Sequence, residues 1–199
     1  MKRFFDFSAS LIGLVVLFPF ILILSSFILI FNGWPVFFIQ PRLGKNKISF
    51  NMIKFRTMRE GNSISSEDDA IRQTKFGKLI RRTSLDELPV LINVLKGDMS
   101  LVGPRPLLVK YKDRFTSFQD KRHKIIPGIT GLAQIKGRNE ISWEKKFEYD
   151  IQYIEQRSFF LDLKILILTI FSVFLLKETS PSDQEIMPEF MGKEENEHS

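Results

Sequence analysis

A mainly helical α+β protein, anchored in a membrane by its N-terminus, is the fold class this sequence predicts, on three observations. Residues Leu11–Phe31 carry no charge at all. Residues 34–59 are rich in β-branched and aromatic side chains, with turn residues at Leu43-Gly44-Lys45-Asn46, the pattern of a small β-hairpin. From residue 76 onward, apolar residues recur at helical spacing in several short segments.

The first element fixes the class. About 21 helical residues reach roughly 30 Å, the thickness of a hydrocarbon core. Pro19 sits near the middle of the block, where it removes a backbone hydrogen bond and crowds the preceding turn. Cations stand on both flanks: Lys2 and Arg3 before the block, Arg42, Lys45, Lys47, Lys54, Arg56 and Arg59 after it. No acid occurs between Asp6 and Glu60. The positive-inside bias asks for both flanks on one face. A helix that enters, breaks at Pro19 and returns satisfies both, whereas a straight span strands one. Residues 1–33 are therefore expected to form a re-entrant helix-break-helix. No small-x-small cleavage site follows the block, which argues against a signal peptide.

Residues 34–177 are expected to form one further domain. The hairpin delivers Lys54-Phe55-Arg56-Thr57-Met58, residues 60–70 read as a polar loop, and 76–82 as a short basic helix. Ser84–Leu95 reads as a helix ending near Gly97, with Ser84 and Glu87 placed for a capping box. Pro89 falls just beyond the first turn, so the regular helix can instead begin nearer Asp86. Residues 98–106 read as a loop stiffened by Pro104 and Pro106, 107–123 as helical, and 127–139 as a Gly-rich loop. Glu140–Gln156 is an amphipathic helix with Trp143, Phe147, Ile151 and Ile154 on one face. Ile165–Leu176 gives only about 18 Å of apolar helix, too short to span, and is read as lying in the interface or packed on protein. Residues 178–199 form a polar, acidic tail expected to be loosely ordered.

Composition narrows the chemistry. No cysteine is present, which excludes disulfides, a thiolate nucleophile and cysteine-ligated metals, and two histidines exclude a histidine-rich metal site. Net charge is +6, but seven acids and one lysine from Glu178 onward make the tail −6, leaving +12 on residues 1–177. Such a field suits phosphorylated ligands, anionic lipid or nucleic acid. The apolar segment favours the first two, and neither a recognition helix nor an aromatic platform supports nucleic acid.

Asp86 and Glu87 are the first chemical candidates. Acids in a first helical turn are stabilised by the macrodipole without any catalytic role. Equally, the dipole keeps a nucleophilic carboxylate ionised, and a neighbouring carboxylate suits Mg²⁺. Lys54, Arg56, Arg81, Arg82, Arg105 and Arg138 all fall near loops or element ends; Arg105 is held in Gly-Pro-Arg-Pro and Arg138 in Gly-Arg-Asn. Arginine on a stiff backbone suits bidentate phosphate contacts, and surface or lipid-headgroup cations are the alternative. Gly103, Gly128, Gly131 and Gly137 either permit close backbone approach to a ligand or serve turns. His123 reads as structural.

The order of motifs resembles a known family, the bacterial sugar transferases or monotopic phosphoglycosyl transferases. The strings are Lys-Arg-Phe-Phe-Asp at 2–6, Pro-Val-Phe-Phe-Ile-Gln-Pro-Arg-Leu-Gly at 35–44, Lys-Phe-Arg-Thr-Met at 54–58, and Ser-Leu-Asp-Glu-Leu-Pro at 84–89. They continue through 93–106, Arg122-His123, 127–139 and Trp143-Glu144. The resemblance implies transfer of a phosphosugar from a UDP-sugar to a polyprenol (undecaprenyl) phosphate with Mg²⁺ and release of UMP, at the cytoplasmic face of the bacterial inner membrane. It implies Asp86 as nucleophile of a phosphosugar-aspartyl intermediate and Glu87, with Asp86, as metal ligand. Lys54, Arg56, Arg81, Arg105 and Arg138 would surround phosphates, and Asp162 matches a closing Leu-Asp motif. Anionic lipids and a second copy in a homodimer are admitted as partners. Where some members place Ser before the helix-breaking Pro, Phe18 stands here, so the break leans on Pro19. The chain resembles the catalytic core of larger relatives that carry extra N-terminal helices. The rival reading, a noncatalytic basic membrane adaptor, explains the charge and apolar segments but neither the Pro-locked Arg105 nor the carboxylate pair.

Overall fold

A computed structural model describes residues 1–58, 74–137, 141–174 and 189–192. In chain order the elements are α1 (Lys2–Asn32), β1 (Phe37–Leu43), β2 (Ser49–Phe55), α2 (Lys75–Arg82), α3 (Val90–Lys96), β3 (Ser100–Val102), α4 (Ser117–Asp120), β4 (Gly128–Thr130), α5 (Leu132–Lys136), α6 (Trp143–Gln156) and α7 (Phe159–Phe174). This is the mainly helical α+β architecture expected, with a long apolar N-terminal helix and little sheet. The chain divides into two compact units. The first comprises Met1–Gln40 and Asn51–Gly97, the second Pro41–Phe50 and Asp98–Ser199.

In the first unit α1 is a single helix that continues through Pro19, so the predicted helix-break-helix is not formed as two helices. Proline's fixed φ is compatible with a helix. Its missing N–H costs one bond to the Val15 carbonyl, too little to end a helix whose other turns close. Ser25 and Ser26 satisfy their hydroxyls inside the helix, donating to the carbonyls of Ile21 and Leu22 at 2.7 and 3.0 Å. Most of the apolar surface of α1 is exposed, including Ile12, Val15, Val16, Leu22, Ile23 and Ile30. It is the one helix among the described residues long and apolar enough to cross a membrane.

Three side-chain ties close α1, α3 and β2 into a ring. Arg3 at the start of α1 donates to the carbonyls of Val94 and, at 2.7 Å, Leu95 at the end of α3. Asn93 of α3 accepts from the Ile53 N–H at 3.0 Å and donates to the Asn51 carbonyl at 2.7 Å, pairing with the β2 backbone as a strand would. At the far end of α1, Asn32 donates to the Arg56 carbonyl at 2.8 Å while the Arg56 guanidinium donates to the Asn32 carbonyl. A straight helix over residues 3–32 would hold its ends about 44 Å apart. Here one end reaches Val94, next to Asn93. The other reaches Arg56, three strand residues or about 10 Å beyond the Asn93-bonded Ile53. The extended side chains do not make up the difference, so α1 is bowed. Leu24 and Ile28 pack its inner face against Val36, Phe55 and Ile80.

The stretch read as a helix from Ser84 is two elements. Leu85–Glu87 is a 3₁₀ turn, and α3 begins only at Val90. Pro89 has no N–H to give the Leu85 carbonyl, which instead accepts from Leu88 N–H at 3.3 Å. Ser84 takes a left-handed conformation (φ 57°) and makes no side-chain cap, so the predicted capping box is not formed.

In the second unit the segments read as loops hold a small parallel sheet. Strands β3 and β4 pair with Ser100 opposite Gly128 and Val102 opposite Thr130. A Cβ on Gly128 would lie 2.0 Å from the Gly103 nitrogen. The glycines there serve backbone against backbone, rather than backbone against ligand. The span 107–123 is not one helix but short turns: Val109–Tyr111, then α4 with a Thr116–Gln119 capping box, then Lys121–Lys124. Helix α6 begins at its Ser142 cap, close to expectation. Val102, Leu132, Tyr153 and Ile165 form one core, and Leu107, Tyr111, Phe147 and Phe190 another. Helix α7 leaves Phe160, Leu163, Ile167, Ile170 and Phe171 exposed.

Candidate active site

The first unit brings three of the predicted residues together. Chain geometry places Asp86 and Glu87 side by side on the 3₁₀ turn ahead of α3, and Lys54 near the end of β2. Lys54 Nζ meets Glu87 Oε1 at 2.7 Å, with both side chains still 15 to 16% exposed. Asp86 is buried at 9%. The turn is held from both sides. Ser84 N–H donates to the Arg81 carbonyl at 3.0 Å, and Leu85 and Leu88 pack against the Leu24–Ile28 core. Asn93 ties α3, which follows the turn, to β2, the strand that carries Lys54.

Arg81 is exposed in the last turn of α2, three residues before the turn's left-handed Ser84. Arg56 is buried at 7%, and its guanidinium holds the end of α1 through Asn32. Thr74 adds a third hydrogen bond there, from its hydroxyl to Asn32 Oδ1 at 3.0 Å.

Arg105 lies in the second unit, exposed between the buried Pro104 and Pro106. Its backbone is fixed from below. Arg122 Nη2 donates to the Arg105 carbonyl at 2.7 Å while Nε donates to Asp150 Oδ2 at 2.9 Å, and both of these side chains are 4% exposed. Burial pushes the Asp150 carboxyl up, and the Arg122 charge beside it pulls the other way. Lys146 is brought down to about 8, first by burial and then by the Arg105 charge. A small recess lies under this loop, lined by Leu43, Gly44, Pro104, Arg105, Arg122 and His123 among others. His123 is held near pKa 4 by burial and by Arg122, and its Nδ1 lies 3.0 Å from Asp120 Oδ1. Asp162 sits 2.6 Å from the Tyr153 hydroxyl, which also lies 3.1 Å from the Val102 carbonyl; this ties α7 to α6 and β3. Arg138 falls outside the described residues.

A family model described as bacterial sugar transferase matches residues 1–176. This chain belongs to that family. It is 47% identical over 194 residues to the uncharacterized sugar transferase EpsL of Bacillus subtilis (strain 168), covering 96% of each. It is 42% identical over 188 residues to the UDP-glucose:undecaprenyl-phosphate glucose-1-phosphate transferase of Klebsiella pneumoniae, covering 88% of this chain and 40% of that one. With the exopolysaccharide production protein ExoY of Rhizobium meliloti (strain 1021) it shares 36% over 193 residues, 87% of this chain and 85% of the relative. Several relatives are thus more than twice as long as the part this chain matches.

Sequence reasoning missed the residues that hold this family member's candidate site in place. Asn93 stands on the same helical face as Val90 and Val94, and Asp150 among Phe147, Ile151 and Ile154. A polar residue on an apolar face was the available signal for both, because a buried polar group must find a partner.

Proposed function

We propose that this chain transfers a sugar 1-phosphate from a UDP-sugar to a polyprenol phosphate, releasing UMP, through a covalent intermediate on Asp86. The observation that carries the reading is the meeting of Lys54 and Glu87 beside Asp86 on a turn fixed to β2, in a member of a sugar transferase family. In the first displacement an Asp86 carboxylate oxygen bonds to the phosphorus that carries the sugar. The bridging P–O bond breaks, and UMP leaves with its electron pair. In the second, a phosphate oxygen of the polyprenol phosphate attacks the same phosphorus and Asp86 departs as carboxylate. The product is a polyprenyl diphosphate sugar. Splitting the transfer this way lets a soluble nucleotide and a membrane lipid use one site in turn. Lys54 and the arginines Arg56, Arg81, Arg105 and Arg138 are assigned to phosphate charge, with Arg56 also securing α1.

Mg²⁺ fits the donors present. Among the described residues no three carboxylates or histidines cluster, but Mg²⁺ is commonly held by one or two carboxylates plus substrate phosphates and water. Asp86 and Glu87 would hold it, and when bound it draws charge from the leaving phosphate.

The exposed apolar surface of α1, its bow, and the cations on both flanks support a re-entrant seat in the inner membrane, with both flanks on the cytoplasmic face against anionic lipid. Cysteines placed at positions 2 and 45 should then label from the same side; labelling from opposite sides refutes it. The reaction is placed at the first membrane step of glycan assembly.

Asp86→Asn should lower UMP release from UDP-sugar and polyprenol phosphate by at least about 10³-fold. Near-normal turnover would sink the nucleophile assignment. UDP-glucose is the first donor to assay, being the one in the Klebsiella relative's name.

A further inference from the structure

We propose that Arg3 is a positioning residue, fastening the membrane helix to the element that carries Asp86 and Glu87 and so linking the seating of α1 to the geometry of the site. The inference rests on the reaction proposed above for that site.

Arg3 lies in the first turn of α1, which holds no acid. A cation there faces the positive end of its own helix dipole, an unfavourable place unless something else recovers the loss. The structure supplies it. Arg3 directs its guanidinium to the carbonyls of Val94 and Leu95, at the negative end of α3. The last carbonyls of a helix have no partner within it, and the planar fork of arginine meets two at once. Gly97 leaves room for this. It ends α3 at φ 96°, its N–H reaching the Asn93 and Val94 carbonyls, and a Cβ there would stand 3.1 Å from Arg3 Nη2.

The contact closes the ring of ties from α1 to α3, α3 to β2, and β2 back to α1. α3 is about 10 Å long, so a tilt of some 6° moves the Asp86 turn by about 1 Å. Misplacement on that scale can cost about 10²-fold in rate. Lys54 on β2 would stay behind, and the Lys54–Glu87 contact would open.

The test uses the full chain in phospholipid nanodiscs with UDP-sugar and undecaprenyl phosphate, comparing wild type, Arg3→Ala, Arg3→Lys and Lys96→Ala. Lys96 is an exposed cation at the same helix end, and its variant controls for charge alone. Arg3→Ala should lose about 10- to 100-fold in kcat with KM for the UDP-sugar within about 2-fold. Partition into vesicles should be unchanged, and hydrogen exchange should accelerate at the amides of residues 94–97. Arg3→Lys should recover part of the rate and Lys96→Ala should match wild type. The proposal is overturned if Arg3→Ala keeps kcat within 2-fold, if Lys96→Ala loses as much, or if the lost activity follows lost vesicle binding, which would make Arg3 a lipid-headgroup contact. Should wild type release no UMP from any UDP-sugar, the reaction assignment fails on its own. Hydrogen exchange then decides the fastening: faster exchange in Arg3→Ala upholds it and unchanged exchange refutes it.

Discussion

Two ion pairs between residues distant in sequence, Lys54–Glu87 in the first unit and Arg122–Asp150 in the second, are built differently. In the second unit Arg122 and Asp150 are both 4% exposed, joined at 2.8 and 2.9 Å, with the guanidinium stacked 5.4 Å from the Phe147 ring centre and a further N–H given to the Arg105 carbonyl. In the first unit Lys54 and Glu87 meet at 2.7 Å while water still reaches both. A charge that must hold a loop is enclosed and bonded on several sides. One that must exchange partners during a reaction is kept where a ligand can compete for it. The difference predicts opposite outcomes when each pair is broken.

The largest stability effect belongs to the buried pair. Asp150→Ala would leave the Arg122 charge enclosed without its counterion, a change that typically costs about 3–5 kcal/mol. For a chain of this size that corresponds to a fall in melting temperature of about 10 °C or more in a detergent-solubilised thermal scan. Replacing both partners, as Arg122→Met with Asp150→Leu, should recover most of the loss while loosening the backbone under Arg105. A loss below about 1 kcal/mol for Asp150→Ala would remove the contrast between the pairs.

Next in size is a pH effect from the same region. Burial and the Arg122 charge hold His123 at about 4, against an ordinary value near 6.5, despite the favourable contact with Asp120. The unfolded chain takes up a proton near 6.5 and the folded chain only near 4. As pH falls through that window the unfolded state binds more protons and stability is lost, by roughly 2 kcal/mol at pH 5. Above 6.5 the effect is absent. His123→Gln should flatten the melting temperature between pH 7 and 5, and a slope equal to wild type would assign the acid sensitivity elsewhere.

The elements legible in advance were those with a strong local signal. The charge-free block became α1, and the Thr74 and Ser142 caps begin α2 and α6 close to where the pattern placed them. What escaped depended on partners far along the chain. Strands β3 and β4 are three residues each, paired in parallel across 28 positions, and glycine at 103 and 128 reads locally as a turn. Pro89 was visible, but its consequence, a 3₁₀ turn under Asp86 in place of a capped helix, required knowing that the Leu85 carbonyl would turn to Leu88. The pairing of Lys54 with Glu87 joins residues 33 apart, and its motif was legible where its geometry was not. Arg3 and Asn32 gave no local sign that they tie the ends of α1, because that role exists only once α3 and β2 are in place.

The smallest stability effect, and the sharpest use of the comparison, is expected at Lys54. Lys54→Met preserves the apolar stem and removes the charge. A partly exposed pair contributes about 1 kcal/mol or less, so the melting temperature should move by no more than about 4 °C. If Lys54 faces substrate phosphate, however, UMP release should fall by about 10²-fold, the scale on which one preorganised charge acts at a transition state. The released Glu87 carboxylate should at the same time bind divalent cation more readily, lowering the Mg²⁺ concentration needed for half-maximal activity. Loss of stability as large as that of Asp150→Ala would place Lys54–Glu87 among the structural pairs and remove Lys54 from the cations assigned to phosphate charge. A stable, correctly folded variant with unchanged turnover would separate Lys54 from the chemistry altogether.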